Sequence, residues 1–497
     1  MKTAILRHVT FRRRLWQRTA FLLLLGALTS AAMPQSNKIY EPSPEKYRQL
    51  AHDIFKQLIE TNTSHSVGSV TAASKEIQQH LLDAGFPASD LSLMGPSERK
   101  QNIVIRYRGS GLRKPVLMIG HLDVVEAQRS DWSTDPFQFV EKDGYFYGRG
   151  TQDMKDNVAL LVAIFIRLRE EGYRPDRDLI LALTADEENG PDDGVDWLVK
   201  NHRDLFDVDF VLNLDAGGVE LERGKPLIVG VEASEKLYAD YQLTVTDRGG
   251  HSSLPHPGNP IFHLVDALGR LERSPFPYEL NAVTRGYFTS LIPHVSAADA
   301  DAIRAILKEP PDPAGFQALS QNTYYNALLR TTCVPTRLAA GHANNALPQT
   351  ATANVNCRIL PGHSPEEIRQ DLIRIFADTT ITVRYGNFAG QIFDTAPDRK
   401  SFAPPPPRAD VIGPIERIAA QMWPGAPVVS EMETGASDSV YTMAIGVPSY
   451  GVSGVAIEND DIRAHGKDER LPTESFYRGL DFYYWYLKAI SSPEAKQ

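Results

Sequence analysis

Three short, nearly unbroken apolar runs constrain this chain most: PVLMIG at 115–120, DLILALT at 178–184 and DFVLNL at 209–214. A strand with one solvated face alternates apolar and polar residues. These runs offer water no polar side, so each reads as a strand buried on both faces of a mixed or parallel sheet. Parallel neighbours need a long crossover, and residues 158–171 are long and apolar enough to supply its helix. Residues 45–59 and 70–85 also read as helices, the second closing at Gly85 ahead of Pro87. The expected fold class is α/β, a mixed, mostly parallel sheet sandwiched by helices.

From about residue 236 the pattern changes to alternation. YADYQLTVT at 238–246 and TATANVNCR at 350–358 read as half-exposed strands, with helices at 260–273 and 365–376. A chain of 497 residues is expected to carry more than one core. The expectation is a catalytic domain built from 40–235 and 399–490, with an α+β lid domain inserted over 236–398. The prolines at 404–407 mark the return, followed by a helix at 411–422 and a short strand at 447–450. Between 278 and 330 the sequence is weakly periodic and Pro310, Pro311 and Pro313 interrupt it. No fold is assigned to that stretch.

Residues 1–32 carry Lys2, Arg7, Arg12, Arg13, Arg14 and Arg18 without an acid, then an apolar run at 20–28 and the small residues Ser30, Ala31 and Ala32. This is the pattern of a secretory signal peptide, with a run too short for a mature membrane span. The expectation is a periplasmic or secreted protein with no stable membrane insertion after leader cleavage. A retained anchor is the alternative, and the arginines leave the general and twin-arginine routes open. The formal charge of −10 grows more negative once those cations are removed, which argues against nucleic acid or anionic lipid as a partner. Two cysteines cannot build a thiolate metal site. Cys333 and Cys357 fall in two expected lid strands, so export would permit a disulfide, with free buried thiols as the alternative.

Chemistry gathers where the buried strands end. His121 and Asp123 follow the first, spaced so that both side chains point to one side of an extended chain. A ligating imidazole usually needs such a partner to fix its tautomer. Gly148–Asp153 is a glycine-rich turn presenting a carboxylate ahead of the crossover helix, where helix capping is the bland alternative. Asp186, Glu187 and Glu188 end the second strand. Three adjacent carboxylates at a buried edge raise one another's pKa unless a cation compensates. Asp215 follows the third strand, where a turn-forming role would also suit it, and His465 stands in a polar loop near the C-terminus. Taken together, these groups lie where an open α/β sheet has its ligand crevice. Two histidines and three carboxylates suit a pair of Zn²⁺ ions, with Mn²⁺ or Co²⁺ as substitutes.

In this order and at these separations, HLDVV, YGRGTQDMKD, TADEENG, NLD and HGKDER resemble the co-catalytic zinc hydrolases of the glutamate carboxypeptidase, aminoacylase, acetylornithine deacetylase and succinyl-diaminopimelate desuccinylase superfamily. The resemblance implies that Asp153 bridges two zincs, with His121 and Asp215 completing one site and Glu188 and His465 the other. It further implies that Glu187 is the general base and that Asp123 orients His121. It also implies a substrate-contacting lid, in which GGHSS supplies His251 to polarise the scissile carbonyl, an action that can cross a homodimer formed through the lid. Asn345 and Arg358 would hold the substrate, Arg358 pairing with its carboxylate, and Gly435 lies in a loop touching the same end. Asp156 and Asn157 stand where the family commonly has small residues, and Glu126 replaces a frequent proline. The lid, enlarged around 284–330, resembles that of the carboxypeptidase S and secreted N-acyl-amino-acid hydrolase branch.

The expected activity is hydrolysis of an amide next to a free carboxylate. The enzyme would act as a carboxypeptidase on a small peptide or as an amidohydrolase on an N-acyl amino acid, with water attack assisted by Glu187. Arg358 favours a free C-terminus through paired N–H contacts that Lys could not reproduce. The rival readings are a dipeptidase or a deacylase of a biosynthetic intermediate, a catalytically silent peptide-binding protein, and an aminopeptidase.

Overall fold

The computed structural model describes residues 40–492 other than 189, 191, 388–389 and 399–403. The signal-peptide expectation for 1–32 lies outside the described residues. Val116–His121, Leu179–Thr184 and Phe210–Asn213 are strands buried at every position. They run parallel to one another, with Val116–His121 in the middle. From one edge the central sheet is ordered Leu91–Ser97, Lys100–Tyr107, Leu179–Thr184, Val116–His121, Phe210–Asn213, Ser449–Val452, Lys225–Glu235, Gly218–Glu222 and Ala456–Glu458, with Val428–Glu433 also paired to Lys225–Glu235. The sheet is mixed, and its parallel centre carries the strand ends that matter. No helix among the described residues is long and apolar enough to cross a membrane.

The crossover helix is Lys155–Glu170, and its residues from Lys155 to Leu168 are all buried. A helix buried on every side has no wet face. It packs on the sheet and against helices Glu45–Glu60, Val70–Asp83 and Thr473–Ser491, which form the outer layer. Helix Ala409–Met422 joins the same core through Val411, Ile415 and Ile418. Close packing reaches the strand ends: a Cβ on Gly120 would stand 2.7 Å from the Met154 Cε, so a larger residue before His121 would have to displace that buried side chain.

A second sheet is antiparallel throughout, ordered Thr332–Ala340, Thr350–Ile359, Leu237–Thr246, Thr382–Gly386 and Ile392–Phe393. Its alternation is clean: Ala239, Tyr241, Leu243 and Val245 face inward with Ala353, Val355 and Cys357, onto helices Pro260–Arg273 and Pro365–Phe376. Cys333 and Cys357 are register partners on adjacent strands and are joined by a disulfide.

The stretch left without a fold is helical. Ala282–Leu291, Ala297–Ile306, Pro313–Leu319 and Thr323–Leu329 are capped by Asn281, Ser296, Asp312 and Asn322, and Pro313 occupies a first-turn position where its missing N–H costs nothing. Its placement corrects the expectation of an enlarged lid. Val283, Tyr287, Phe288, Ile303 and Phe316 pack with Ile228, Val429 and Met432 of the central sheet, because those strands leave an apolar face that the crossover layer does not cover.

Candidate metal centre

Three adjacent parallel strands deliver their chemistry to one edge. His121 is the last residue of its strand, Asp186, Glu187 and Glu188 follow Leu179–Thr184, and Asp215 follows Phe210–Asn213. Asp153 comes from the turn before the crossover helix. Gly150 in that turn has φ +93°, and a Cβ there would meet Lys155 Cδ and Val124 Cγ1 at 3.0 Å. The helix is capped at Met154 without a side-chain bond, so Asp153 is not its cap. Glu469, fully buried, pins the turn by accepting from Arg149 Nη1 at 2.7 Å, Gly150 N–H at 3.1 Å and Gln152 N–H at 2.7 Å. The loop that ends in this glutamate also carries His465, so one segment both fixes the turn and meets its carboxylate.

The two oxygens of Asp153 face opposite ways. Oδ1 lies 3.0 Å from His121 Nε2, and Oδ2 lies 2.9 Å from His465 Nε2. His121 Nε2 is also 3.5 Å from Asp215 Oδ1, and His465 Nε2 is 3.0 Å from Glu188 Oε2. His121 Nε2 and Asp153 Oδ1 are buried and make no hydrogen bond despite their closeness. Orphaned nitrogen and oxygen atoms at such spacing are what a cation between them would satisfy. His121 with Asp153 and Glu188, and His121 with Glu187 and Asp215, each offer ligand atoms within 4.8 Å of one another. Imidazole and carboxylate donors at these separations suit a divalent metal ion.

Burial pushes the Glu187 carboxyl well above the ordinary range, aided by Asp215, Glu188 and Asp153 and opposed by His121. Burial and Asp153 raise Glu188 to about 7. Hydrogen bonds to Asp153 and Glu188 raise His465 to about 10. Asp153 itself, although burial works the other way, is held below the usual carboxylate range by His121 and His465.

The remaining expected residues divide. Asp123 supports His121 through its main-chain carbonyl, 3.0 Å from Nδ1, and not through its carboxylate, which stands 3.8 Å away. The carboxylate accepts instead from the N–H groups of Glu187 and Glu188 at 3.2 and 3.1 Å, and so carries the loop that bears both. Asp186, at φ +65°, turns away to Lys100 Nζ at 2.9 Å and His65 Nδ1 at 3.0 Å, so the triple acid is compensated partly by protein cations. Arg358 reaches the cavity of about 430 Å³ that holds Asp153, Glu187, Glu188 and His465. Gly435 does not line it, but Ala436, Ser437 and Asp438 do. His251 and Asn345 also fall outside its walls. They sit on a small two-stranded loop of the lid, with Ser252 N–H bonded to the Asn345 carbonyl at 3.0 Å, and His251 is exposed.

Several participants carried no sequence signal. Tyr238, Tyr385 and Tyr441 wall the cavity but read as ordinary strand and helix aromatics. Asp193 and Asp438, both buried, line the cavity together with Glu187, and burial raises Asp193 to about 7. Glu469 lies in HGKDER, yet only the folded turn reveals what it holds.

A sequence model of peptidase family M20/M25/M40 matches residues 117–489. The chain is 29% identical over 403 residues to the probable carboxypeptidase S-like 2 of Dictyostelium discoideum, covering 78% of this chain and 74% of that one. It is 26% identical over 381 residues to the N-fatty-acyl-amino acid synthase/hydrolase PM20D1 of Homo sapiens, covering 75% and 73%. Among solved structures, an M20 family metallo-carboxypeptidase from Sulfolobus solfataricus superposes with a TM-score of 0.65 at 15% identity, over 88% of this chain and 99% of that one, a likeness of fold.

Proposed function

Because the chain belongs to peptidase family M20/M25/M40, and is therefore a metal-dependent hydrolase of amide bonds, we propose that it cleaves an amide adjacent to a free carboxylate. Its substrate is a small peptide, which it treats as a carboxypeptidase, or an N-acyl amino acid. One observation carries this reading: Asp153 turns one oxygen to His121 and the other to His465, at 3.0 and 2.9 Å, inside a cavity that also contains Glu187 and Arg358.

His121, Asp153 and Asp215 would hold one Zn²⁺, and Asp153, Glu188 and His465 the other, with Co²⁺ or Mn²⁺ as substitutes. When bound, such a pair supplies Lewis-acid polarisation of the carbonyl and a more acidic water. Among the described residues Glu187 takes no part in an ion pair with a protein cation, and its carboxylate, which lines the cavity beside the proposed ions, would accept a proton from the attacking water and pass it to the departing nitrogen. Asp123 holds the loop that aims Glu187. Arg358 makes no hydrogen bond to a protein acceptor among the described residues, so its planar N–H groups remain available for a substrate carboxylate. That favours a substrate with a free C-terminus over the ammonium recognition an aminopeptidase needs.

His251 and Asn345 lie outside the cavity walls. We propose that a second copy, docked through the lid, completes the site with them. Leu254, Ile261, Phe262 and Val265 near that loop are 74, 38, 70 and 51% exposed, an apolar patch that a second lid would cover. The Cys333–Cys357 disulfide supports an exported protein, since such bonds persist outside the reducing cytosol.

The test is Glu187→Gln in the purified, zinc-loaded enzyme, assayed on N-blocked dipeptides and N-acyl amino acids. Retained metal with turnover reduced by about two to four orders of magnitude is expected. Wild-type turnover, or loss of metal in step with activity, would overturn the assignment of the base.

A further inference from the structure

Tyr238 lines both this cavity and a groove of about 760 Å³ along the lid-sheet face opposite helices Pro260–Arg273 and Pro365–Phe376. Tyr238 is the register partner of Arg358 on the neighbouring antiparallel strand, which puts both side chains on this face. The Arg358 guanidinium carbon stands 4.9 Å from the centroid of the Tyr238 ring, a cation–π contact.

Two residues along the strand, on the same face, Asp240 receives the Tyr238 hydroxyl at 2.6 Å through Oδ2. Its Oδ1 accepts from Asn354 Nδ2 at 2.8 Å and Asn356 Nδ2 at 3.0 Å. Three neutral donors therefore occupy the Asp240 carboxylate, and no ion pair joins it to Arg358 among the described residues. This distinction decides how Arg358 is presented. A direct Arg–Asp pair would consume the N–H fork that a substrate carboxylate needs. A ring held under the guanidinium orients its plane while leaving every N–H free. The negative charge one hydrogen bond behind the phenol enriches the ring in electrons and strengthens its hold on the cation.

We infer that Tyr238 and Asp240 are positioning residues for substrate specificity: Asp240, fixed by Asn354 and Asn356, clamps the Tyr238 hydroxyl so that the ring presents the unspent Arg358 guanidinium to the substrate's carboxylate. The inference rests on the reading that Arg358 receives that carboxylate. Burial of Arg358 works against its charge, and Tyr238, Asp240 and Glu187 offset part of that cost.

The experiment uses the full-length zinc-loaded enzyme and two substrates, an N-blocked dipeptide with a free C-terminus and its C-terminal amide. Loss of a cation–π contact of this kind corresponds to about 2- to 30-fold in binding. Tyr238→Leu is expected to raise KM for the acid by that factor with kcat little changed, and to leave the amide's KM where it was. Tyr238→Phe, which keeps the ring and loses the clamp, should recover part of the loss, and Asp240→Asn should match it, both with an unchanged thermal midpoint. Wild-type KM in Tyr238→Leu, or an equal rise for acid and amide, overturns the inference. Arg358→Ala separates the two claims. If it leaves the acid's KM unchanged, the carboxylate reading fails and takes this inference with it. If it raises KM while the Tyr238 and Asp240 variants do not, this inference alone fails.

Discussion

Asp123 illustrates how one side chain can serve a site without touching the reaction. Its main-chain carbonyl fixes the His121 tautomer, and its two carboxylate oxygens take the N–H groups of Glu187 and Glu188. These are charge-assisted bonds to backbone in a buried setting, where removal leaves orphaned donors. Asp123→Ala should therefore weaken metal binding by about 10- to 100-fold, the usual effect of losing an outer support of a metal site. Competition with a chromophoric chelator reads this directly, and unchanged affinity would show that the loop keeps its shape unaided. The HxD spacing made the partnership legible from sequence. Which of Asp123's atoms does which task was not, because a carbonyl and a carboxylate on one residue are equally near a neighbouring imidazole until the chain turns.

At the scale of elements, regular periodicity was readable and short helices were not. The buried strands and the Lys155–Glu170 helix declared themselves through runs with no polar face, and the expected and observed bounds differ by a few residues at most. The four helices between 282 and 329 span only 7 to 10 residues each, too few turns for an apolar stripe to emerge from noise. Helix Pro365–Phe376 offers a pH test at this scale. A fork of bonds from Arg369 Nε and Nη2, at 2.8 and 2.7 Å, holds Glu366 at about 2. A carboxyl whose folded pKa is depressed contributes stability above its unfolded value of 4.5, and that contribution fades as pH falls from there toward 2. Screened by solvent, it is worth about 1–2 kcal/mol. Denaturant unfolding of Glu366→Gln should show that deficit at neutral pH and a smaller one near pH 3; a deficit that does not shrink in acid would assign the loss to packing.

Over the whole molecule, the candidate ligands come from widely separated parts of the chain: His121, Asp153, Glu188, Asp215 and His465. A cation pair would therefore tie the C-terminal loop to the centre of the sheet. Ligands that bind only the folded state stabilise it by mass action, about 4 kcal/mol at a thousandfold excess over Kd. Chelation should lower the unfolding temperature, zinc should restore it, and His465→Ala should abolish most of the difference; equal midpoints with and without chelator would mean that the site is not loaded. The lid makes a separate prediction. Light scattering should find a dimer for the wild type and a monomer for Phe262→Asp, with activity falling alongside if His251 is supplied by the second copy.

The sequence by itself determined the α/β core and the alternating lid sheet, and it offered the candidate donors for a metal, because hydrophobic period and donor chemistry are written locally. Only the tertiary structure decided which atoms meet. It turned Asp186 toward Lys100 and His65, seated the 282–329 helices on the central sheet, buried Glu469 under the Asp153 turn, and set Tyr238 beneath Arg358. Each of these depends on the direction of a side chain after distant segments have packed, and no spacing along the chain encodes that direction.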